Sequence, residues 1–418
     1  MIRIHGRRGA ARLVLTAGIA TATAVTGFAG SASAGTPAAL PTGTIVEAGA
    51  ASAIGDSYIV TFKSGASPAA AGVARASQQL VKRYGGTVLN NYTSAVIGFH
   101  AAMTRTQARR LAAHPSVASV EQDARVSVDA ITQLTPTWGL DRIDQEKLPL
   151  SGTYTYRAAA NVTAYVLDTG IRISNKDFEG RARNGYDFID NDKVAEDCNG
   201  HGTHVAGTIG GAKYGVAKDI KLVAVRVLDC RGSGSYSAII NGVDWVTRNA
   251  VKPAVANMSL GGTTSTTLNN AVKRSIAAGI TYAVAAGNDN KDACQQSPAG
   301  LPEAITVAAT DSTDTRATFS NYGKCVDMFA PGVRITAASS KSDTGTVIMS
   351  GTSMASPHVT GAAALVLGAN PTFTPKQVRD ALVNNASVNR VHNLAGSPSA
   401  LLNTGWLNAV TATSTSKR

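Results

Sequence analysis

Ser350-Gly351-Thr352-Ser353-Met354-Ala355-Ser356-Pro357-His358 joins small residues that permit a tight turn to an apolar run, Val359 to Leu367. The run reads as a helix, with Pro357 early enough to be tolerated in its first turns. Ser353 is therefore predicted at a helix N-terminus, where unpaired N–H groups and the helix dipole favour negative charge. A serine that attacks a carbonyl needs such a place, because an oxyanion forms beside it. Alone, a serine in this turn is ordinarily a helix cap. The reading depends on its partners.

A nucleophilic serine needs a base, and His201 in Asn199-Gly200-His201-Gly202-Thr203-His204-Val205-Ala206-Gly207 is the best candidate. The glycines put the imidazole at a helix start with room for a substrate backbone. His204 falls inside that helix and reads as a structural hydrogen-bonding residue. A zinc site is disfavoured, because the spacing is not His-Glu-x-x-His and no Glu lies within the motif. The base needs an orienting carboxylate. Asp168 closes an apolar strand just before Thr169-Gly170, so it emerges at the edge of the core; by itself it would read as a turn-forming Asp.

These residues require a scaffold. Val162 to Leu167, Leu222 to Leu228, Val255 to Ser259 and Thr281 to Ala286 read as almost wholly apolar strands. They alternate with helices at Tyr236 to Asn249 and Leu268 to Ala278, which implies an α/β fold with a mainly parallel sheet covered on both faces. In such sheets functional groups gather at the carboxyl ends of strands. Asp168, Ser259 and Asn288 all fall there.

Upstream, strands at Tyr58 to Phe62, Thr87 to Leu89, Ala95 to Phe99 and Val117 to Gln122 are interrupted by helices at Ala69 to Tyr84 and Thr104 to Ala113. The order βαββαβ predicts a small α+β ferredoxin-like domain over about residues 56–123. It holds no nucleophile with a base beside it. Residues 124–137 lack a strong pattern and read as a linker.

The 418 residues are 44% apolar, enough for more than one domain with a real core. Arg3, Arg7, Arg8 and Arg12, an apolar stretch from Leu13 to Ala29, and Ala32-Ser33-Ala34 form a secretory signal peptide over residues 1–34. No later run approaches membrane-spanning length, so a secreted, extracellular protein that leaves the membrane is expected. The net charge of +12 is scattered without runs or aromatic-interleaved patches, which argues against nucleic acid. Cys198, Cys230, Cys294 and Cys325 fit two disulfides of an exported protein, with three pairings open. Pairing neighbours would close two loops worth roughly 3–4 kcal/mol each in the chain-entropy model.

The order Asp168, His201, Ser353 differs from that of chymotrypsin-type and α/β-hydrolase triads and is the subtilisin order. Asp168-Thr169-Gly170, the His201 motif and Gly351-Thr352-Ser353-Met354-Ala355 together resemble the subtilisin family of serine proteases. Trp138 to Gln145 and Val255 to Gly262 resemble its proteinase K and aqualysin branch. The similarity runs from about residue 138 to 405, and residues 56–123 resemble the family's inhibitory prodomain.

This resemblance implies a three-layer subtilisin-like fold at 131–418, ending in a short polar tail from Ala409, after a propeptide at 35–130. It implies Ser353 as nucleophile, His201 as general base and then acid, and Asp168 as orienting carboxylate. Asn288 and the Ser353 backbone N–H would donate to the oxyanion; losing such a donor costs about 2.7–4 kcal/mol, a magnitude measured in this family. Gly232-Ser233-Gly234 and Ser259-Leu260-Gly261 match the edges that pair an extended peptide as an added strand. Ala285, Ala286 and Gly287 would face the second edge across the pocket for the residue before the cut. No acid lies in these segments, so cleavage after apolar and aromatic residues is expected.

The resemblance also implies structural Ca2+ and no catalytic metal. Asp327 with the carbonyls of Pro302 and Ala304 matches one cation site, Asp187 and Asp192 a second, and Asp141, Asp144 and Gln145 part of a third. At the third, Ser151 and Thr153 stand where an acid and an amide would complete the cage. Aqualysin-like relatives pair neighbouring cysteines, whereas proteinase K pairs them differently. The expected protein is a monomeric, self-cleaving zymogen, inhibited by its own propeptide and cut near Ala130-Ile131, that acts on polypeptides. A peptide-binding homologue with a dead site, or an esterase or lipase using the same triad, are the alternatives.

Overall fold

The computed structural model describes residues 41–46, 53–65, 68–124 and 130–408. The signal peptide and the tail from Ala409 to Arg418 lie outside the described residues. The chain divides into two compact units, one made chiefly of residues up to Asp123 and one of residues from Ala124 onward. Among the described residues no helix is long and apolar enough to cross a membrane.

The N-terminal unit has strands Ala53–Phe62, Thr87–Thr93, Ile97–Ala102 and Val117–Ala124, with helices Val73–Tyr84 and Arg105–Ala112. In space the second strand lies at one edge, followed by the third, the first and the fourth. That is the ferredoxin-like arrangement expected from the βαββαβ order. Val73, Ser77, Leu80 and Val81 are the buried residues of the first helix, the i, i+4, i+7, i+8 spacing of one face. Thr104 and Gln107 close a reciprocal capping box at the start of the second helix. Tyr58, Val60 and Phe62 alternate into the core against Phe99 and Ala101.

Among the described residues the C-terminal unit is built on a nine-stranded sheet. From one edge its strands run Ser387–Val388, Ala400–Leu401, Met328–Pro331, Ile305–Thr310, Thr281–Ala285, Ala254–Met258, Thr163–Asp168, Lys221–Arg226 and Ala182–Asp187. All neighbours pair in parallel except the short outer pair Ser387–Val388 and Ala400–Leu401. Alternation along the Thr163–Asp168 strand explains the three layers. Ala164 and Val166 join one core with helices His201–Gly210 and Thr352–Ala369. Tyr165 and Leu167 join the other with helices Tyr236–Asn249 and Thr266–Ala277.

The structure departs from the sequence-based expectation in two places. Ile131–Leu134, read as linker, is a strand paired antiparallel with Thr153–Tyr156; it is short, and its partner lies beyond an intervening helix. Pro357 sits deeper than expected, as the sixth residue of the Thr352–Ala369 helix. Its missing N–H would have bonded the Ser353 carbonyl. Ser259 Oγ donates to that carbonyl instead, at 2.8 Å.

The cysteines pair as sequence neighbours, Cys198 with Cys230 and Cys294 with Cys325. The first disulfide ties the segment before His201 to the segment before Gly232. Asn199 Nδ2 adds a hydrogen bond to the Cys230 carbonyl at 2.9 Å.

Candidate active site

Asp168 ends its strand fully buried, and its Oδ1 lies 2.7 Å from His201 Nδ1. Thr169 N donates to the same oxygen at 2.7 Å. A carboxylate accepts, so His201 carries a proton on Nδ1 and leaves Nε2 as a free acceptor when neutral. His201 is the first residue of its helix, after Gly200 at φ 109°. Gly202 is what lets this helix approach the strand end. A Cβ there would lie 2.1 Å from the Gly170 carbonyl oxygen and 3.2 Å from Asp168 Cβ.

Burial pulls the His201 pKa down. The Asp168 charge and hydrogen bond, aided by the charge of Asp197, overcome that and hold it above the ordinary histidine value of 6.5. His204, the next turn of the same helix, has no exposure and sits 2.9 Å by Nε2 from the Ile335 carbonyl. Burial pushes it to about 4.

Ser353 is the second residue of its helix. Its Oγ donates to the Ser259 carbonyl at 3.2 Å, so the two serines exchange hydrogen bonds. Ser353 and His201 line one cleft of about 570 Å3 together with both predicted substrate segments, Gly232-Ser233-Gly234 and Ser259-Leu260-Gly261. Leu228, Tyr236 and Ile239 add an apolar wall, and among the described residues Arg231 is the one unconditionally charged lining residue. These four were not singled out as site residues from sequence. Their signal was only adjacency to the glycines.

Ala285 and Ala286 are buried, and neither they nor Gly287 line this cleft. They back onto the Ser353 helix instead: Gly287 N donates to Thr352 Oγ1 at 3.1 Å. Asn288 follows, and its Oδ1 accepts from Thr352 N and Thr352 Oγ1 at 2.8 and 3.0 Å. That fixes the amide so that Nδ2 is the end left to donate. A Cβ placed on Gly351 would lie 3.5 Å from both Asn288 Nδ2 and Ser353 N. The two donors thus flank one small space that glycine keeps open.

The expected cation ligands do not gather into cages. Asp327 Oδ1 is held by the Arg379 guanidinium and its Oδ2 by Thr306 N. Asp187 Oδ2 pairs with Arg226 at 2.6 Å, while Asp192 Oδ1 accepts from Val194 N. An arginine therefore stands where a cation would at the first two sites, and the residues as placed do not fit one. At the third, Asp141 accepts from Ser151 and Gly152, and Gln145 donates to the Lys147 and Pro149 carbonyls. Asp144 Oδ1 alone is buried without a partner. Among the described residues no three His, Cys, Asp or Glu side chains form a metal-holding group.

The model of the Subtilase family matches residues 159–406, more than half the chain, and that of Peptidase inhibitor I9 matches residues 57–129. An extracellular serine proteinase of Thermus sp. (strain Rt41A) is 57% identical over 322 residues, which is 77% of this chain and 78% of that protein. Alkaline serine exoprotease A of Vibrio alginolyticus is 48% identical over 362 residues, 84% of this chain and 67% of that protein. The crystal structure of a cold adapted subtilisin-like serine proteinase superposes with a TM-score of 0.64 at 53% identity, covering 65% of this chain and 98% of that one. Subtilases generally bind structural calcium. An Asp–His pair beside a helix-borne serine, at the strand ends of such a sheet and within these similarities, makes the chain a member of the subtilase family, a serine endopeptidase preceded by an I9 inhibitor domain.

Proposed function

We propose that this protein is a secreted endopeptidase, made as a zymogen, in which Ser353 attacks the peptide carbonyl and His201 takes its proton. The observation that carries this is the 2.7 Å contact of Asp168 Oδ1 with His201 Nδ1 in a cleft that also holds Ser353. Asp168 keeps the Nδ1–H tautomer and stabilises the imidazolium that forms. For attack, Ser353 Oγ turns from the Ser259 carbonyl to His201 Nε2. The oxyanion enters the space between Asn288 Nδ2 and Ser353 N. His201 then returns the proton to the leaving amine, and water releases the acyl group by the same steps in reverse.

Substrate binds as an extended strand between the two glycine-rich segments. Among the described residues Gly234, Leu260 and Gly261 find no backbone hydrogen bond outside regular elements, which leaves their groups for a peptide. Leu228, Tyr236, Ile239 and Leu260, with no acid in the lining among the described residues, favour apolar and aromatic side chains. The I9 domain blocks the enzyme until the chain cuts itself near Ala130-Ile131, where both residues are exposed. Calcium, where bound, is structural and takes no part in the chemistry.

Expression of the full chain beside Ser353→Ala tests this, with intact mass and casein hydrolysis followed over time. Wild type is expected to shed the I9 segment and digest casein while the variant stays full length and inert. An active variant would end the reading.

A further inference from the structure

We propose that Asp197, through the hydroxyls of Thr169 and Thr203, is a positioning residue that fixes the His201 helix against Asp168. The inference rests on His201 being the base.

Gly200, the residue before the helix, has no side chain to cap it. The N–H groups of the first turn are nonetheless all satisfied from outside the helix. His201 N donates to Asn199 Oδ1 at 3.2 Å, Gly202 N to Thr169 Oγ1 at 2.9 Å, and Thr203 N to Asp197 Oδ2 at 2.8 Å. Asp197 is 5% exposed and gathers the rest of the cluster. Its Oδ1 accepts from Thr169 Oγ1 at 2.8 Å, Asn199 N at 3.0 Å and Gly200 N at 2.8 Å. Its Oδ2 also accepts from Thr203 Oγ1 at 2.5 Å.

A buried carboxylate is an expensive way to cap a helix, but position 200, at φ 109° and with a Cβ site 3.1 Å from Ser340 Oγ, does not accommodate a capping side chain of its own. Asp197 also supplies a second attachment. Thr169 follows Asp168 in the chain, and Gly202 follows His201. The Thr169 hydroxyl donates to Asp197 and accepts from Gly202, so it locks both ends of the Asp168–His201 pair into one frame. The pair's geometry is then set by Asp197 and not by the pair's own hydrogen bond alone.

Asp197 also acts through its charge. The charged or titratable groups around the base are Asp168, Asp197, Glu196, the neutral His204 in the next turn, Arg172, whose guanidinium is occupied by Asp343, and the exposed Arg231 of the cleft lining, paired with Asp229. Of these, Asp168 and Asp197 favour the imidazolium.

The test uses the full chain carrying Thr169→Val, Thr169→Ser or Asp197→Asn, with rates expressed per active site titrated by a sulfonyl fluoride. Thr169→Val is expected to lower kcat by about 10–100-fold with KM little changed, the scale of a misplaced catalytic pair. Thr169→Ser, which restores the hydroxyl, should recover most of that loss. Asp197→Asn should move the rising limb of kcat/KM to lower pH. Wild-type kcat in Thr169→Val, or a Thr169→Ser variant as impaired as the valine, would overturn the proposal. So would an unmoved pH limb in Asp197→Asn. If Asp197→Asn fails to mature, the two Thr169 variants decide alone. Failure of the underlying reading would show separately, as activity in Ser353→Ala.

Discussion

His201 and His204 lie one turn apart on one helix, and Ser353 and Ser356 lie three residues apart on another, yet the members of each pair live in opposite surroundings. His201 keeps 24% of its side chain exposed at the cleft beside a carboxylate. His204 is sealed against a carbonyl, and His358 within the Ser353 helix is sealed likewise, with Nδ1 2.8 Å from the Met354 carbonyl. Ser353 borders the cleft, whereas Ser356 Oγ donates to the buried Asn257 Oδ1 at 2.9 Å. Residue type is shared, and chemistry is not. What separates the two faces is access to substrate and a partner that stabilises charge; the inner face offers neither.

The largest effects should fall where this contrast is cut most directly. Ser353→Ala is expected to lower kcat by about 10⁶-fold, the scale measured for loss of the nucleophile in this family. Ser356→Ala should leave kcat per titrated site within a few fold. It should cost about 1–2 kcal/mol of stability, because Asn257 Oδ1 retains a second donor in Thr360. Equal losses of activity in the two would erase the distinction between the faces. Asn288→Ala comes next, with about 10²–10³-fold lost in kcat and little change in KM. Steady-state kinetics on a chromogenic peptide amide checks all three.

Much of this arrangement was legible in the sequence because strong local signals agree with the tertiary outcome. The Tyr236–Asn249 helix and the apolar strand into Asp168 are periodic enough to read directly, and the Asp, His and Ser segments carry the glycines their close contacts require. Features joining distant positions were not legible. Arg226 reaching Asp187, Arg379 reaching Asp327, and the fully buried Arg142 held by Asp314 each depend on the finished fold. The same holds for Asp197, which reads as an ordinary loop acid until its partners converge. The strand at Ile131–Leu134 was missed because four residues carry too little pattern to stand against a linker reading.

The two faces should also respond to pH with opposite sign. Burial lowers His204 and His358 to about 4, below the unfolded value near 6.5. The unfolded chain therefore binds more protons between these values. The native state keeps its full stability above about pH 6.5 and loses it as pH falls toward 4, by up to on the order of 3 kcal/mol for each buried imidazole. His201, whose pKa is raised, runs the other way: its contribution is present below 6.5 and is lost as pH rises through its folded value. With His201 as the proposed base, which must be neutral, activity should rise over that same interval. Urea unfolding of Ser353→Ala between pH 7 and 4.5 checks the first claim, where a constant midpoint would contradict the burial of both histidines.

The smallest expected effect compares two buried carboxylates. Asp168 and Asp144 each have one oxygen without a hydrogen-bond partner, but only Asp168 has an imidazole to share its charge. Burial, followed by the charge of nearby Asp141, pushes Asp144 up to about 6, while Thr155 N at 2.7 Å partly opposes the rise. A carboxyl raised in this way favours the native state below its unfolded value near 4 and loses that advantage as pH climbs to 6. Asp144→Asn keeps an acceptor for Thr155 N and removes the charge. In the Ser353→Ala background it should raise Tm by about 1–3 °C at pH 8 and leave it unchanged at pH 4. Millimolar calcium sharpens the test. If a cation uses the free Asp144 oxygen, calcium should raise Tm in the parent and not in Asp144→Asn. Equal gains in both would place any calcium elsewhere and leave Asp144 as an unpartnered charge, the uncompensated counterpart of Asp168.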